Sequence, residues 1–264
     1  MTKKITLRLL IVVFLCQYAS AFAWGTTGHR VVAEVAENNL KASTRHKLKK
    51  ILGKQKLAYW ANWPDFIKSD TTGHWKHTET WHYVNVSPQS SKADFIRALE
   101  AQDAPTLYTE IKAISNRLKN EKLSREQKEI ELRFLIHMMG DLAQPMHTGR
   151  AEDLGGNKVR IKYFGQNTNL HSLWDSKLVD ANQYSYTEYA KILDVKTRRE
   201  KKELMKGSLE DWLYESHKAA NTIYAYTKPD QNYTYGYLYR FNSLLEKQLY
   251  EGGLHLAQVL NEVL

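Results

Sequence analysis

The sequence predicts a mainly α-helical protein built as a single compact domain. Apolar residues recur every three to four positions through long segments, which is the signature of helices that bury one face. Only five prolines occur in 264 residues, and no Gly/Ser-rich tract, repeat or low-complexity block divides the chain. The periodic segments are residues 28–39, 43–52, 92–101, 106–119, 125–143, 208–226 and 235–263.

The first residues predict a cleaved export signal. A positively charged start is followed by an apolar run at residues 5–15, and Ala21-Phe22-Ala23 has the small-x-small form of a signal-peptidase site. We therefore expect a signal peptide at residues 1–23 and a mature domain at residues 24–264. The mature protein is expected in the periplasm or outside the cell.

The composition of the mature chain limits its partners. Loss of Lys3, Lys4 and Arg8 would lower the formal net charge from +9 to +6, a basic balance that suits a polyanion but does not identify one. No later stretch approaches the roughly 20 apolar residues that span a bilayer. We expect a monomer without stable membrane association.

The only cysteine lies inside the signal. Cys16 would be removed with it, so the mature chain can form no disulfide although it leaves the reducing cytoplasm. Lipidation at Cys16 is an alternative, but Leu15 before it is bulkier than the small residue that such sites prefer. Stability must then come from the packed core and from any bound metal.

Two segments interrupt the helical periodicity. Val159–Phe164 alternates in polarity and is followed by Gly165-Gln166-Asn167, which predicts a short β-hairpin. Residues 69–81 lack periodicity and predict a surface loop. Ser124 with Gln127 three residues later predicts a capping box at the start of the helix 125–143.

That helix carries the densest group of candidate metal ligands. His137 and Asp141 stand four residues apart, so they lie on one helical face, where a ring nitrogen and a carboxylate oxygen can bind one ion. Pro145 ends or bends the helix, which lets His147 turn toward a different ion. The order His137, Asp141, Pro145, His147 therefore predicts ligands for more than one metal.

A second pair with the same spacing follows at His171 and Asp175. A single such pair is more often a hydrogen-bonded pair than a metal site, but two pairs together with His147 favour metal binding. Asp65 and His82 lie among aromatic residues, where an unpaired polar group is costly to bury, and each taken alone is more often a satisfied polar group than a ligand. His29 follows the expected new terminus at Trp24 by five residues.

Five segments together resemble the zinc-dependent single-strand-specific nucleases of the S1/P1 type. They are Trp24 to His29, Trp63-Pro64-Asp65, Trp81-His82-Tyr83, the 135–147 motif and Asn169-Leu170-His171-Ser172-Leu173-Trp174-Asp175. The resemblance runs from Trp24 to about Asp175. It implies the mainly α-helical fold that this family shares with zinc phospholipases C, with three zinc ions in one cleft. The family's fungal and plant members carry disulfides that this chain lacks.

The resemblance also implies how the ligands are shared. One Zn²⁺ would be held by Asp65, His82, His137 and Asp141. A second would be held by the amine and carbonyl of Trp24, by His29 and by Asp141, which would bridge the pair. A third would be held by His147, His171 and Asp175.

Four further residues match family positions near the substrate. The resemblance gives Lys68 and Asn157 contacts to phosphate, with Asp65 orienting water, but a solvated lysine and plain turn chemistry remain open for the first two. Tyr83 matches an aromatic that stacks on a base, although a structural role is also open. Asn85 replaces the aspartate usual in fungal relatives, which puts base preference in doubt.

The implied function is a nuclease of single-stranded RNA and DNA that leaves 5′-phosphates and has 3′-nucleotidase activity. A zinc phospholipase C is the first alternative, because it shares the fold and the HxxxD-x5-H spacing but usually ends the third site with glutamate rather than Asp175. A non-catalytic exported protein that binds zinc or nucleic acid is the second alternative. Nine filled ligand positions argue against it.

Overall fold

The structure, a computed structural model, describes residues 24–88 and 91–264. It is mostly helical with one small sheet, which confirms the mainly α-helical fold predicted from the sequence. The predicted signal peptide at residues 1–23 and its cleavage after Ala23 lie outside the described residues. Within the described residues, no helix combines the length and the apolar character needed to cross a membrane.

The seven periodic segments all form helices, with ends within two residues of those predicted. They are α1 (Thr26–Asn38), α2 (Ala42–Leu52), α5 (Lys92–Glu100), α6 (Leu107–Asn120), α7 (Arg125–Ala143), α12 (Leu209–Tyr226) and α13 (Tyr235–Val263). Shorter helices lie between them: α3 (Leu57–Trp60), α4 (Trp63–Phe66), α8 (Leu170–Ser172), α9 (Leu178–Ala181), α10 (Tyr186–Leu193) and α11 (Arg198–Leu204). The shortest of these span about one turn, too few residues for a period to be detected.

The loop predicted at residues 69–81 is wrong over its second half. Lys76–His82 is a 3₁₀ helix, and Ile67–Ser69 and Pro145–Thr148 are shorter ones. A 3₁₀ helix has three residues per turn, so a search for the 3.6-residue period of an α-helix does not detect it. This correction bears on the site, because His82 is the last residue of the 3₁₀ helix.

Helix α7 is the central element of the core. Every residue from 134 to 143 is buried, and α1, α6, α12 and α13 pack against it. Its start has the predicted capping box, in which Gln127 N donates to Ser124 Oγ at 3.2 Å and Ser124 N donates to Gln127 Oε1 at 2.8 Å. His137 and Asp141 are therefore fixed in a fully buried part of the molecule.

The sheet has three short strands in the order β2-β1-β3. β1 (Arg160–Tyr163) and β2 (Gln166–Asn169) form the predicted antiparallel hairpin. β3 (Asn232–Tyr233) pairs parallel to β1 and was not predicted, because two residues carry no alternation. β2 leads directly into α8, so the hairpin fixes the position of His171.

Candidate metal centre

The structure brings eight of the predicted ligand side chains together in three buried groups. Within each group, one nitrogen or oxygen atom per residue lies within 4.8 Å of those of the other members. The groups are His29, His137 and Asp141; Asp65, His82 and His137; and His147, His171 and Asp175. They differ from the predicted sets in two respects. His137 approaches His29 as well as Asp65 and His82, and Asp141 is grouped with His29 and His137 but not with Asp65 and His82.

Asp141 lies between the first two groups. Its Oδ1 is 3.3 Å from His29 Nε2, while its Oδ2 is 3.1 Å from His82 Nδ1 and 3.2 Å from His137 Nε2. Each carboxylate oxygen therefore faces a different set of rings. This is the arrangement that one carboxylate needs in order to bridge two cations.

Gly140 makes room for the ring of His29. A Cβ atom on this residue would lie 2.6 Å from His29 Nδ1, closer than two such atoms can approach. The space lets the His29 ring stack on that of His137 at 4.0 Å between centroids. A side chain at position 140 would therefore force the His29 ring to shift.

The third group forms where regular helix ends. α7 stops at Ala143, and the 3₁₀ turn that begins at Pro145 carries His147 away from the axis of α7. His171 lies on α8 and Asp175 on the π-helical turn Leu173–Lys177 that follows. Asp175 Oδ2 is 3.1 Å from His171 Nε2, and Asp175 Oδ1 is 3.6 Å from His147 Nε2.

Backbone carbonyls orient several of the histidine rings. The Nδ1–H of His137 donates to the Ala61 carbonyl and that of His171 donates to the Gly155 carbonyl, each at 2.7 Å. His147 Nδ1 donates to the His82 carbonyl. These bonds leave Nε2 of each ring facing the other members of its group, as metal-binding histidines require.

Buried polar atoms that lack a hydrogen-bond partner indicate whether the three groups can hold a cation. His29 Nε2, Asp141 Oδ1 and His147 Nε2 are buried without a hydrogen-bond partner in the described structure. An unpaired buried polar atom costs about 1–3 kcal/mol, yet three of them converge here. Nitrogen and carboxylate oxygen donors in this geometry suit zinc, so the residues present fit the metal.

Burial and mutual charge set the protonation of the ligands. Burial lowers the pKa of His82 to about 4, and burial together with His137 lowers the pKa of His29. Burial opposes ionisation of Asp141, but His137 and His147 outweigh it and hold the pKa of that carboxyl well below its usual range. Asp141 in turn raises the pKa of His137 and His147 against the effect of burial.

Trp24 is fully buried beside this centre. The next residue, Gly25, donates its backbone N–H to the carbonyl of Asp175 at 2.6 Å. The start of the predicted mature chain is therefore tied to the third group. Coordination through the amine of Trp24 stays a prediction, because it needs a terminus freed by cleavage.

A cleft of about 380 Å³ opens onto the second and third groups. All four predicted substrate residues line it: Lys68, Tyr83, Asn85 and Asn157. Lys68 Nζ lies 2.7 Å from Asp65 Oδ1, and Asn157 Nδ2 donates to the Leu154 carbonyl at 2.8 Å. Tyr83 is 40% exposed at the rim.

Several residues of the site were not predicted from the sequence. Glu79, Met146 and Leu154 also line the cleft, and Leu154 adopts a left-handed φ of 56°, a strained conformation for leucine. Gln144, which is fully buried, donates to Asp175 Oδ1. Gln144 lies between the predicted ligands Asp141 and His147, and this position in the motif is the sequence feature that could have indicated its role.

Comparison with known proteins places this geometry in context. The model of the S1/P1 nuclease family matches residues 24–264. The chain is 30% identical over 274 residues to Endonuclease 5 of Arabidopsis thaliana, covering 92% of this chain and 91% of that protein. It is 29% identical over 273 residues to Endonuclease 3 of the same plant, covering 92% and 90%. It is 32% identical over 184 residues to Nuclease P1 of Penicillium citrinum, covering 64% and 65%.

Proposed function

The chain belongs to the S1/P1 nuclease family and is a nuclease, and on this basis we propose that it is an exported, zinc-dependent endonuclease of single-stranded RNA and DNA. Its products would carry a 5′-phosphate and a free 3′-hydroxyl, and it would also act as a 3′-nucleotidase. It would be secreted through the signal at residues 1–23 and would work as a monomer.

The observation that carries this proposal is the convergence of three His/Asp groups, of which the second and third open onto a single cleft. We propose three Zn²⁺ ions per chain. One would be held by Asp65, His82, His137 and Asp141, a second by the terminal amine and carbonyl of Trp24 with His29 and Asp141, and a third by His147, His171 and Asp175. When bound, the zinc ions supply Lewis acidity that lowers the pKa of water and neutralises charge on phosphate.

The chain's own polar groups would position the scissile phosphate. Lys68 reaches Asp65 at 2.7 Å and lines the cleft, so its ammonium group can move to a phosphate oxygen while Asp65 orients the attacking water. Asn157, which also lines the cleft, would donate its amide to another phosphate oxygen. Breaking the bond between phosphorus and the 3′-oxygen yields the proposed products.

The rim of the cleft would select unpaired nucleotides. Tyr83 is exposed there, and stacking of a base on an aromatic side chain contributes about 1–3 kcal/mol without reading its identity. Asn85 Oδ1 is buried without a partner in the described structure, so it can accept a hydrogen bond from a base. A base in a duplex must first leave its stack, which makes single strands the better substrate.

The proposal is tested by cleavage assays on four substrates. Zinc-loaded protein should degrade single-stranded DNA and RNA, should cut duplex DNA slowly, and should lose activity when a chelator removes the metal. Phosphatidylcholine serves as the fourth substrate, because hydrolysis of it in preference to nucleic acid would establish a phospholipase C. Equal nuclease activity with and without chelator would refute the metal-dependent mechanism.

The terminal ligand needs a separate test. A mature chain beginning at Trp24 is compared with one that keeps Ala23 ahead of it. The extra residue removes the free amine from Trp24, so zinc content should fall by one ion per chain and activity should fall with it. Unchanged zinc content in the extended protein would show that the amine is not a ligand.

A further inference from the structure

The outer face of the three-stranded sheet carries two cations, Arg160 and Lys162. Along β1, Ile161 and Tyr163 are buried while Arg160 and Lys162 are exposed. The register places Arg160 opposite Asn169 and Lys162 opposite Asn167. Directly opposed residues share a face of the sheet, so this face presents two cations alternating with side-chain amides.

Carboxylates do not neutralise these cations. In the structure as described, neither Arg160 nor Lys162 has a carboxylate oxygen within salt-bridge distance, whereas many lysines elsewhere do. Asp230 is the acidic residue among the described residues that line the groove with them, and its backbone N–H donates to the Arg160 carbonyl at 2.8 Å. The face therefore keeps a net positive charge.

This face lines a groove that adjoins the metal centre. The groove has a volume of about 710 Å³ and is lined by Arg160, Lys162, Asn167 and Asn169. Asn157 lines both this groove and the cleft that contains His147 and His171. A chain that runs out of the cleft past Asn157 therefore enters the groove directly.

We propose that this groove binds the phosphates of the polynucleotide segment that extends beyond the scissile bond, an inference that rests on the proposed nuclease function. Arg160 and Lys162 stand two residues apart on a strand, about 6.7 Å, which suits contacts to successive phosphates of an extended single strand. Arginine, lysine and asparagine contact phosphate oxygens without reading base identity. The groove would therefore add affinity for long substrates and no sequence preference.

The proposal predicts an effect that depends on substrate length and on salt. Each phosphate contact to a single strand contributes about −0.7 to the slope of log affinity against log salt. Replacing both Arg160 and Lys162 with glutamine should raise KM for an oligonucleotide of roughly 15 nucleotides by about tenfold in low salt, and should reduce the salt slope by about 1.4. The kcat for this substrate and the kcat/KM for a dinucleotide should stay unchanged.

A matched variant controls for net charge. Arg198 and Lys202 on α11 are exposed and form no ion pair among the described residues, so Arg198→Gln with Lys202→Gln removes the same charge away from the groove. This control should keep the wild-type KM for the long substrate to within a factor of two or so.

Two results would overturn the proposal. One is a groove variant that behaves like the control on the long substrate, and the other is an equal loss on the dinucleotide, which would mean that the substitutions damage the metal centre. If wild-type protein cleaves neither substrate, the proposed function itself fails, and this outcome is distinct from both.

Discussion

Seven histidines are buried in the described part of the protein, five in the metal centre and two in the helical core behind it. Each of the five has a ring nitrogen within 3.6 Å of Asp141 or Asp175. His255, in contrast, stacks on Trp212 at 4.2 Å and donates to the Leu204 carbonyl at 3.0 Å. Burial alone therefore does not distinguish a ligand from a core histidine, whereas a facing carboxylate does.

His217 shows how close the two kinds of histidine can be. Its Nδ1 donates to the Thr148 carbonyl at 2.9 Å, much as His137, His147 and His171 donate to other carbonyls, and its Nε2 is buried with no partner among the described residues. Its neighbours are the ring of Phe95 and the cation Arg150, and burial together with Arg150 lowers its pKa. Among the described residues, no Asp or Glu oxygen lies within ion-pair distance of His217, so the missing carboxylate separates this ring from the five ligands.

The largest expected effect comes from removing the carboxylate shared by two groups. Asp141→Asn should release the ions next to it and leave the one held by His147, His171 and Asp175. Loss of several kcal/mol of charge stabilisation corresponds to a fall in kcat/KM on the order of 10³-fold. Elemental analysis and cleavage of single-stranded DNA measure the two effects. His255→Gln is the control, and three ions bound to the Asp141→Asn protein would contradict bridging.

A smaller loss should follow when a ligand is displaced rather than removed. Gly140→Ala puts a Cβ atom 2.6 Å from His29 Nδ1, so the ring must shift, and a shift of about 1 Å can lower turnover by about 10²-fold. Gly236→Ala is the matched control, because a Cβ on that α13 residue meets no atom within 4 Å. It should instead stabilise the helix by about 0.5–1 kcal/mol. Metal content and thermal unfolding, measured for both variants, show whether the loss of turnover comes from a displaced ligand or from a less stable fold.

The difference between local helical geometry and long-range packing explains what the sequence could and could not predict. The long helices have strong periodicity, and the spacing of His137, Asp141, His171 and Asp175 is set by local helical geometry, so both were predictable. The convergence of His29 on Gly140 and of Gln144 on Asp175 depends on packing between segments that are distant in the chain. β3 and the 3₁₀ helix at Lys76–His82 are too short or too tightly wound to show a period.

Two buried glutamines, one in the metal centre and one in the helical core, can be compared by making the same substitution at each. Gln144 donates to Asp175, and Gln248 donates to the Ala143 carbonyl at 2.8 Å. Gln144→Met removes a group that orients a ligand, so the affinity for metal at the third group should fall about 10- to 100-fold. Gln248→Met should leave metal affinity unchanged and lower the free energy of unfolding by about 1–3 kcal/mol. Zinc titration with a competing chelator compares them, and equal affinities would assign Gln144 a purely structural role.

The smallest expected effect is the pH dependence that His255 gives to stability. Burial lowers the pKa of His255 to about 4, below the 6.5 of an exposed histidine. Between these values the unfolded chain binds a proton that the folded protein does not, so stability falls as the pH decreases from about 6.5 to 4 and changes no further below that. At pH 5 the loss should reach about 2 kcal/mol.

His255→Phe tests this effect because it keeps a ring against Trp212 and removes the titrating group. Urea unfolding of the chelator-treated variant and wild type should give free energies whose difference shifts by about 2 kcal/mol in favour of the variant from pH 7 to pH 5. His137 and His147 have raised pKa values and contribute with the opposite sign, but they are common to both proteins and cancel in the difference. A difference independent of pH would mean that folding does not shift the pKa of His255, so that burial against Trp212 does not keep this core ring neutral at pH 5.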